Sequence, residues 1–294
     1  VAADPGALVD GGTRTVGVIG WPVEHSLSPA IHNAAFAALG LPWVYVPLPV
    51  LPGEVGAALA GLRALGFAGA NVTMPHKTEV AERVGSLSDD ARRLNAVNTI
   101  VVGAEEIAGH NTDAPGFDRF LRRDAGFEPA DRTALLFGAG GAARACALAL
   151  ARAGLRSLTV AVRDPERARP VEGTVAELGV AVTTVPLAEA ADLDVDLIVN
   201  ATPLGADGEA LPMPRLRPEV VVVDLLYYPA TTPLLSSARA AGASAFGGLG
   251  LLLEQAALSF ELWTGQAAPL EVMSAAAVAA LSTTVGGGGH PDPT

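Results

Sequence analysis

The chain has 294 residues, half of them hydrophobic and 17% charged, enough apolar material for one large or two ordinary packed domains and too much for general disorder. A formal net charge of -12 speaks against a nucleic-acid or anionic-lipid surface as the main partner, although a few basic groups can still dominate a small pocket. The single cysteine, Cys146, excludes an intramolecular disulfide and fits a reducing, cytoplasmic setting.

The opening "VAADPGALVDGG" has neither a basic n-region nor an apolar h-region, so no signal peptide is expected, and no window is apolar for the length of a membrane span. "TVGVIG" (15–20) reads as a strand, and Ser28-Pro29 as the N-cap and first position of a helix closed by Gly40. A strand at 43–48, a helix at 52–66 ending at Gly66, and a strand running into "NVTMPHK" (71–77) follow. Two short helical stretches come next, with Ser88 as a cap, and then a strand at 96–102. "GHNTDAPGFDRFL" reads as a passage to a second series of strands at 133–137, 158–162, 180–185, 195–201 and 220–225. Two helices, 248–264 and 269–282, close the chain. This rhythm predicts an α/β fold of two domains with mainly parallel sheets. The expected bounds are 13–112 completed by 248–283, and 113–247, with 1–12 and 285–294 as flexible ends.

"LLFGAGGAAR" places Gly138, Ala139, Gly140, Gly141 and Ala142 between a buried strand and a helix. The first glycine permits the tight turn, the second lets a pyrophosphate approach the backbone, and Ala143 is the small residue for close helix–strand packing. The free N–H groups of the helix start then face the phosphates. Where ribose recognition is decided, Arg163 and Arg167 favour the 2′-phosphate of NADP. Asp164 leaves NAD open, and it also reads as the N-cap of a helix begun by Pro165.

Other polar residues gather at expected strand ends: Ser26 and Ser28, Asn71, Thr73, His76 and Lys77, Asn98, and Asn111, Thr112 and Asp113. Ligands of open α/β sheets settle outside such an edge, and this set suits a polyhydroxylated small acid. Beside a nicotinamide, the matching chemistry is hydride transfer between a carbonyl and a secondary alcohol. Lys77 and Asp113 are the acid–base candidates, treated as one dyad. His25, His32, His76 and His110 have no metal-ligand spacing, His32 reads as structural, and no metal is expected.

These motifs in this order resemble the shikimate dehydrogenase family over about residues 15–270. The matching segments are Ser26-Leu27-Ser28-Pro29, "NVTMPHK", "AVNT" (96–99), "NTDAPGF" (111–117), "GAGGA" (138–142), "NATPLG" (200–205), "DLLYYPATTPLL" (224–235) and "GLGLLLEQ" (248–255). The resemblance implies an oxidoreductase that reversibly reduces 3-dehydroshikimate to shikimate with NADPH, on the route to chorismate and the aromatic amino acids. It implies a substrate domain, a Rossmann NADP-binding domain, and final helices that return to the first domain. It places Lys77 and Asp113 in the catalytic pair, and Ser26, Ser28, Thr73, Asn98, Tyr227 and Gln255 at the substrate. Thr202, Leu225, Gly248 and, less distinctively, Asp89 fall near the cofactor. The sequence departs from the family pattern at Val162-Arg163-Asp164, where the family reader is Asn-Arg-Thr/Ser, and at Gly247 and Leu251, where aspartate and methionine are common. Three alternatives stay open: an NAD-dependent quinate/shikimate dehydrogenase, a paralogue acting on an aminoshikimate, and a non-catalytic NADP sensor. The expected partners are small molecules only, in a monomer or homodimer.

Overall fold

The computed structural model describes residues 9–206 and 211–286, with side chains given through residue 282. The expectation of flexible ends falls largely on 1–8 and 287–294, outside the described residues. The chain divides into two compact units, one running to Thr112 and resuming at Ala256, the other spanning Asp113–Gln255.

The first unit is built on β1 (Arg14–Gly20), β2 (Trp43–Pro49), β3 (Gly69–Val72), β4 (Ser86–Leu87), β5 (Thr99–Val102) and β6 (Ile107–His110). Their order in the sheet is β2-β1-β3-β5-β6-β4. β1 runs parallel to β2 and β3, and β4 to β6, whereas β5 is antiparallel to both β3 and β6. The β5–β6 hairpin is absent from the sequence reading, because "IAGH" carries a glycine and only two apolar residues. The strand expected from residue 96 begins at Thr99 instead. The preceding backbone is used elsewhere: Val97 N–H donates to Lys77 O (2.9 Å), and Asn98 O accepts from Val72 N–H (2.8 Å).

Helices α1 (Ser28–Ala38), α2 (Val55–Ala64), α3 (Lys77–Arg83) and α4 (Asp89–Leu94) fill the connections. Ser28 is not the N-cap of α1. Leu27 holds that position without a side-chain bond, and Ser26 Oγ accepts from Ser28 N–H (3.3 Å), which moves the capping hydroxyl upstream. Ser88 does cap α4, accepting from Ala91 N–H (3.3 Å). Gly40 (φ +62°) and Gly66 (φ +71°) stop α1 and α2 in the left-handed region, as a C-terminal glycine does.

His32, fully buried on α1, stacks on Tyr45 at 4.6 Å and lies against Phe36, Phe260 and Trp263. Neither ring nitrogen has a protein partner among the described residues, and burial holds the imidazole down at about 3. The unfolded chain takes up that proton near 6.5 and the folded chain only near 3, so acid favours unfolding. The contribution of His32 is intact above 6.5 and shrinks as pH falls towards 3. Exchanging His32 for phenylalanine keeps a flat ring on Tyr45 and removes this slope. Urea melts at neutral pH and two pH units below 6.5 should show wild type losing about 2–3 kcal/mol more than His32→Phe.

The second unit begins with α5 (Asp113–Arg123). Its sheet has β7 (Thr133–Phe137), β8 (Ser157–Val162), β9 (Ala181–Pro186), β10 (Leu197–Asn200), β11 (Val221–Asp224) and β12 (Ser244–Gly247), all parallel, in the order β12-β11-β10-β7-β8-β9. β12 also escaped the sequence reading. "SAFG" is short, half-buried and flanked by small residues, so its β signal is weak. Helices α6 (Gly141–Arg152), α7 (Arg169–Val175) and α8 (Pro233–Ala240) are the crossovers. α6 is packed so tightly that every residue of Ala145–Ala151 is buried, Cys146 included, and burial pushes that thiol up and out of reach as a nucleophile.

α9 (Leu249–Thr264) and α10 (Leu270–Gly286) end the described chain. Their residues from Ala256 onward belong to the first unit. There Trp263 Nε1–H donates to Ile100 O (3.0 Å), and α10 packs along α1. The return of the last helices to the first unit is the one the sequence resemblance implied.

Candidate active site

In the second unit the strand order reverses between β7 and β10, the place where an open parallel sheet offers its crevice. A cavity of about 550 Å³ lies there, lined by Gly138, Ala139 and Gly140 after β7, Arg163 and Arg167 after β8, and Thr202 after β10. Gly138 has φ +101°, and a Cβ on it would come within 2.9 Å of Thr202 and 3.1 Å of Ala201 O, so only glycine fits. A Cβ on Gly140 would meet no protein atom within 4 Å, so the space it faces is open to a ligand. Gly140 is also the N-cap of α6 and forms no side-chain cap, while Gly141 and Ala142 form the first turn of that helix. Their N–H groups are of the kind that receive a phosphate.

The aspartate between the two arginines is turned to a structural task. Asp164 Oδ1 accepts from Glu166 N–H (3.1 Å) and caps a short 3-10 helix, Pro165–Ala168, so the capping reading of the sequence holds here. Asp164 does not line the cavity.

Behind the cavity, a polar set whose mutual pairing the sequence reading did not foresee fixes two loops. Asn200 Oδ1 accepts from Thr202 Oγ1 (2.7 Å), and Asn200 Nδ2 donates to Asp224 Oδ1 (3.0 Å) and Leu204 O (3.1 Å). Asp224 Oδ2 takes the Thr232 hydroxyl at 2.6 Å. Desolvation raises the Asp224 carboxyl against the opposing effect of these bonds. Tyr227 and Leu225 lie in the loop held this way. Burial raises the Tyr227 phenol, and a Cβ on Gly248 would run into Leu225 O. Leu225 and Gly248 therefore belong to the same corner of the fold but do not line the cavity. Gln255 sits on α9, its Nε2 donating to Leu252 O (3.0 Å).

In the first unit one sheet edge gathers the remaining residues. Ser26 and Ser28 follow the C-terminal end of β1, and Thr73 and Lys77 follow β3, its parallel neighbour. Thr73 N–H donates to Ile19 O (2.9 Å), and His76 N–H closes the turn on Thr73 O (3.0 Å). Lys77 is the first residue of α3 and partly buried. His76 Nε2 contacts Val50 O at 2.7 Å, a bond that holds the turn.

Asn98 reaches this edge by a different route from the one expected. It precedes β5, and because β5 is antiparallel to β3, with Asn71 opposite Thr99, its start meets the end of β3. The end of β6 pairs there too, His110 opposite Thr99, which brings Asn111 and Thr112 alongside. Thr112 N–H donates to Asn98 Oδ1 (2.8 Å), and Asn98 Nδ2 donates to Thr112 Oγ1 (2.9 Å). Asp113 follows directly in sequence and opens α5. Asp89 is exposed at the start of α4 and paired with Arg92 at 2.9 Å. No cluster of three or more potential metal ligands occurs among the described residues, and none of their helices is long and apolar enough to cross a membrane.

Sequence models of the shikimate dehydrogenase substrate binding domain, of the coenzyme F420-dependent NADP oxidoreductase, and of the shikimate 5'-dehydrogenase C-terminal domain match residues 18–100, 132–228 and 248–278. The chain is 45% identical to the shikimate dehydrogenase (NADP(+)) of Moorella thermoacetica, over 95% of this chain and 97% of the relative. It is 50% identical to that of Rubrobacter xylanophilus, over 87% and 93%. The crystal structure of shikimate 5-dehydrogenase from Thermus thermophilus with NADP(H) and shikimate superposes with a TM-score of 0.81 at 38% identity, covering 91% of this chain and 99% of that one. With the three matches laid out in the order of the two units, and identity sustained over nearly the whole length, this chain belongs to the shikimate dehydrogenase family.

Proposed function

We propose that this protein is an NADP-dependent shikimate dehydrogenase that reversibly reduces 3-dehydroshikimate to shikimate. The observation that carries the reading is the convergence of Ser26, Ser28, Thr73, Lys77 and Asn98 on one sheet edge of the first unit. In this reading residues 13–112 with the last helices bind substrate, and the unit begun by Asp113 binds the cofactor.

The cavity fits a phosphorylated dinucleotide. Gly140 leaves open space beside an α6 start without a side-chain cap, for the pyrophosphate, and Arg163 and Arg167 line the part suited to a 2′-phosphate. NADPH supplies the hydride when bound. The protein's own work is orientation and proton transfer. Serine and threonine hydroxyls with the amides of Asn98 and Gln255 hold a carboxylate and ring hydroxyls, with Tyr227 at the same ligand. Lys77, as an ammonium, hands a proton to the oxygen that gains charge during reduction, and Lys77 with Asp113 receives it in the reverse direction. The protein works in the cytoplasm as a monomer or homodimer.

Following shikimate oxidation by the absorbance of reduced nicotinamide tests the reading, and absence of turnover with either cofactor would sink it. The arginine assignment has its own test. Arg163→Ala should raise KM for NADP+ about tenfold or more while changing KM for NAD+ little. Equal losses for the two cofactors would remove Arg163 from the 2′-phosphate.

A further inference from the structure

Asn98 is held by a buried chain of hydrogen bonds whose direction can be read from groups that only donate or only accept. A backbone N–H only donates, so the Thr112 N–H bond (2.8 Å) fixes which end of the Asn98 amide is oxygen. The Thr99 hydroxyl gives the same oxygen a second bond at 3.1 Å. Both lone pairs of Asn98 Oδ1 are thus committed inside the protein, and Asn98 Nδ2 donates to Thr112 Oγ1 (2.9 Å), so the amide is held at both ends.

The Thr99 hydroxyl is itself set from behind. It donates to Asn98, so it accepts from Ser259 Oγ (2.8 Å) and Asn71 Nδ2 (3.1 Å). Asn71 Nδ2 also donates to Ser259 Oγ (2.9 Å) and to Asn98 O (3.2 Å), a carbonyl that only accepts and so fixes the Asn71 amide. Next comes the Tyr45 hydroxyl, which donates to Asn71 Oδ1 (2.8 Å) and is itself hydrogen-bonded to the Ser28 side chain. All six residues, from Tyr45 to Thr112, are buried, and Thr99 and Ser259 fully so. In such surroundings a misdirected polar group is costly, so one hydrogen-bond direction dominates.

We infer that Thr99 and Ser259 are positioning residues for the reaction: through their hydrogen-bond chain they lock the Asn98 amide in one orientation at the sheet edge that holds the candidate substrate residues. The inference rests on the reading of Asn98 as a substrate ligand.

Kinetics of Thr99→Val, Asn98→Ala and their double variant on the whole chain test it, with Thr99→Ser as the conservative control. Thr99→Val keeps shape but removes the hydroxyl, and should lower kcat/KM for shikimate about tenfold to a hundredfold, with KM for NADP+ unchanged. Thr99→Ser should return most of that loss. In the Asn98→Ala background, Thr99→Val should add almost nothing, because the amide it orients is gone. Losses that multiply in the double variant would overturn the inference, as would near-normal kcat/KM in Thr99→Val. Should Thr99→Val fail to fold, Ser259→Ala takes its place in the same cycle with a smaller expected loss, judged by the same non-additivity. If Asn98→Ala alone leaves shikimate kinetics intact, the substrate role of Asn98 fails first, which separates that failure from failure of the positioning chain.

Discussion

Replacing Lys77 with alanine is expected to lower kcat by about 10²- to 10⁴-fold, the scale of a lost positioned proton donor, with thermal stability nearly unchanged. Lys77 is partly buried at the first position of α3, and its backbone carbonyl accepts from Val97 N–H at 2.9 Å. That bond survives the substitution, so the fold should too. Asp113→Asn should cost a comparable factor, and the double variant little more, which is the outcome the proposed acid–base dyad requires. Stopped-flow or steady-state rates at saturating substrate decide the matter. Near-normal kcat in Lys77→Ala would remove the assigned mechanism.

Gly248→Ala should be the most damaging substitution for the second unit. The added Cβ would run into the backbone carbonyl oxygen of Leu225, a rigid atom held in turn by Leu225 N–H donating to Asn200 O (2.9 Å). Gly248 N–H also bonds Leu226 O at 3.0 Å, so neither strand end can retreat without losing a hydrogen bond. Destabilisation of about 3 kcal/mol or more is expected, with impaired cofactor binding in whatever folds. Circular dichroism melts with and without NADP+ check it. A variant with unchanged Tm would show that the corner relaxes more easily than the close approach implies.

Local chemistry made some features readable. A buried pentapeptide running into "GAGGAAR" needed no distant partner to announce β7, its turn and α6, and Ser88 and Asp164 cap where their neighbours predict. Ser28 failed as a cap because Ser26, two residues earlier, took over the hydroxyl role. Asn98 was placed at the right edge for an incomplete reason. A purely parallel sheet would have carried the start of that strand to the opposite end, and the unforeseen antiparallel β5 brings it back. Least legible were residues whose partners are remote. Nothing near Ser259 marks it as polar machinery, since its bond to Asn71 joins positions 188 apart and its chain neighbours are Leu258 and Phe260. Asn200 and Asp224 were hidden in the same way, each ending a buried β-branched strand whose side-chain pairing appears only once the sheet is assembled.

The measurement closest to the central claim is a steady-state comparison of kcat/KM for shikimate and for quinate, each with NADP+ and with NAD+. The account predicts the highest value for shikimate with NADP+, at least about tenfold above the same substrate with NAD+, given two arginines lining the cavity after β8 and an aspartate occupied in a cap. A highest value for quinate, or for NAD+, would contradict it.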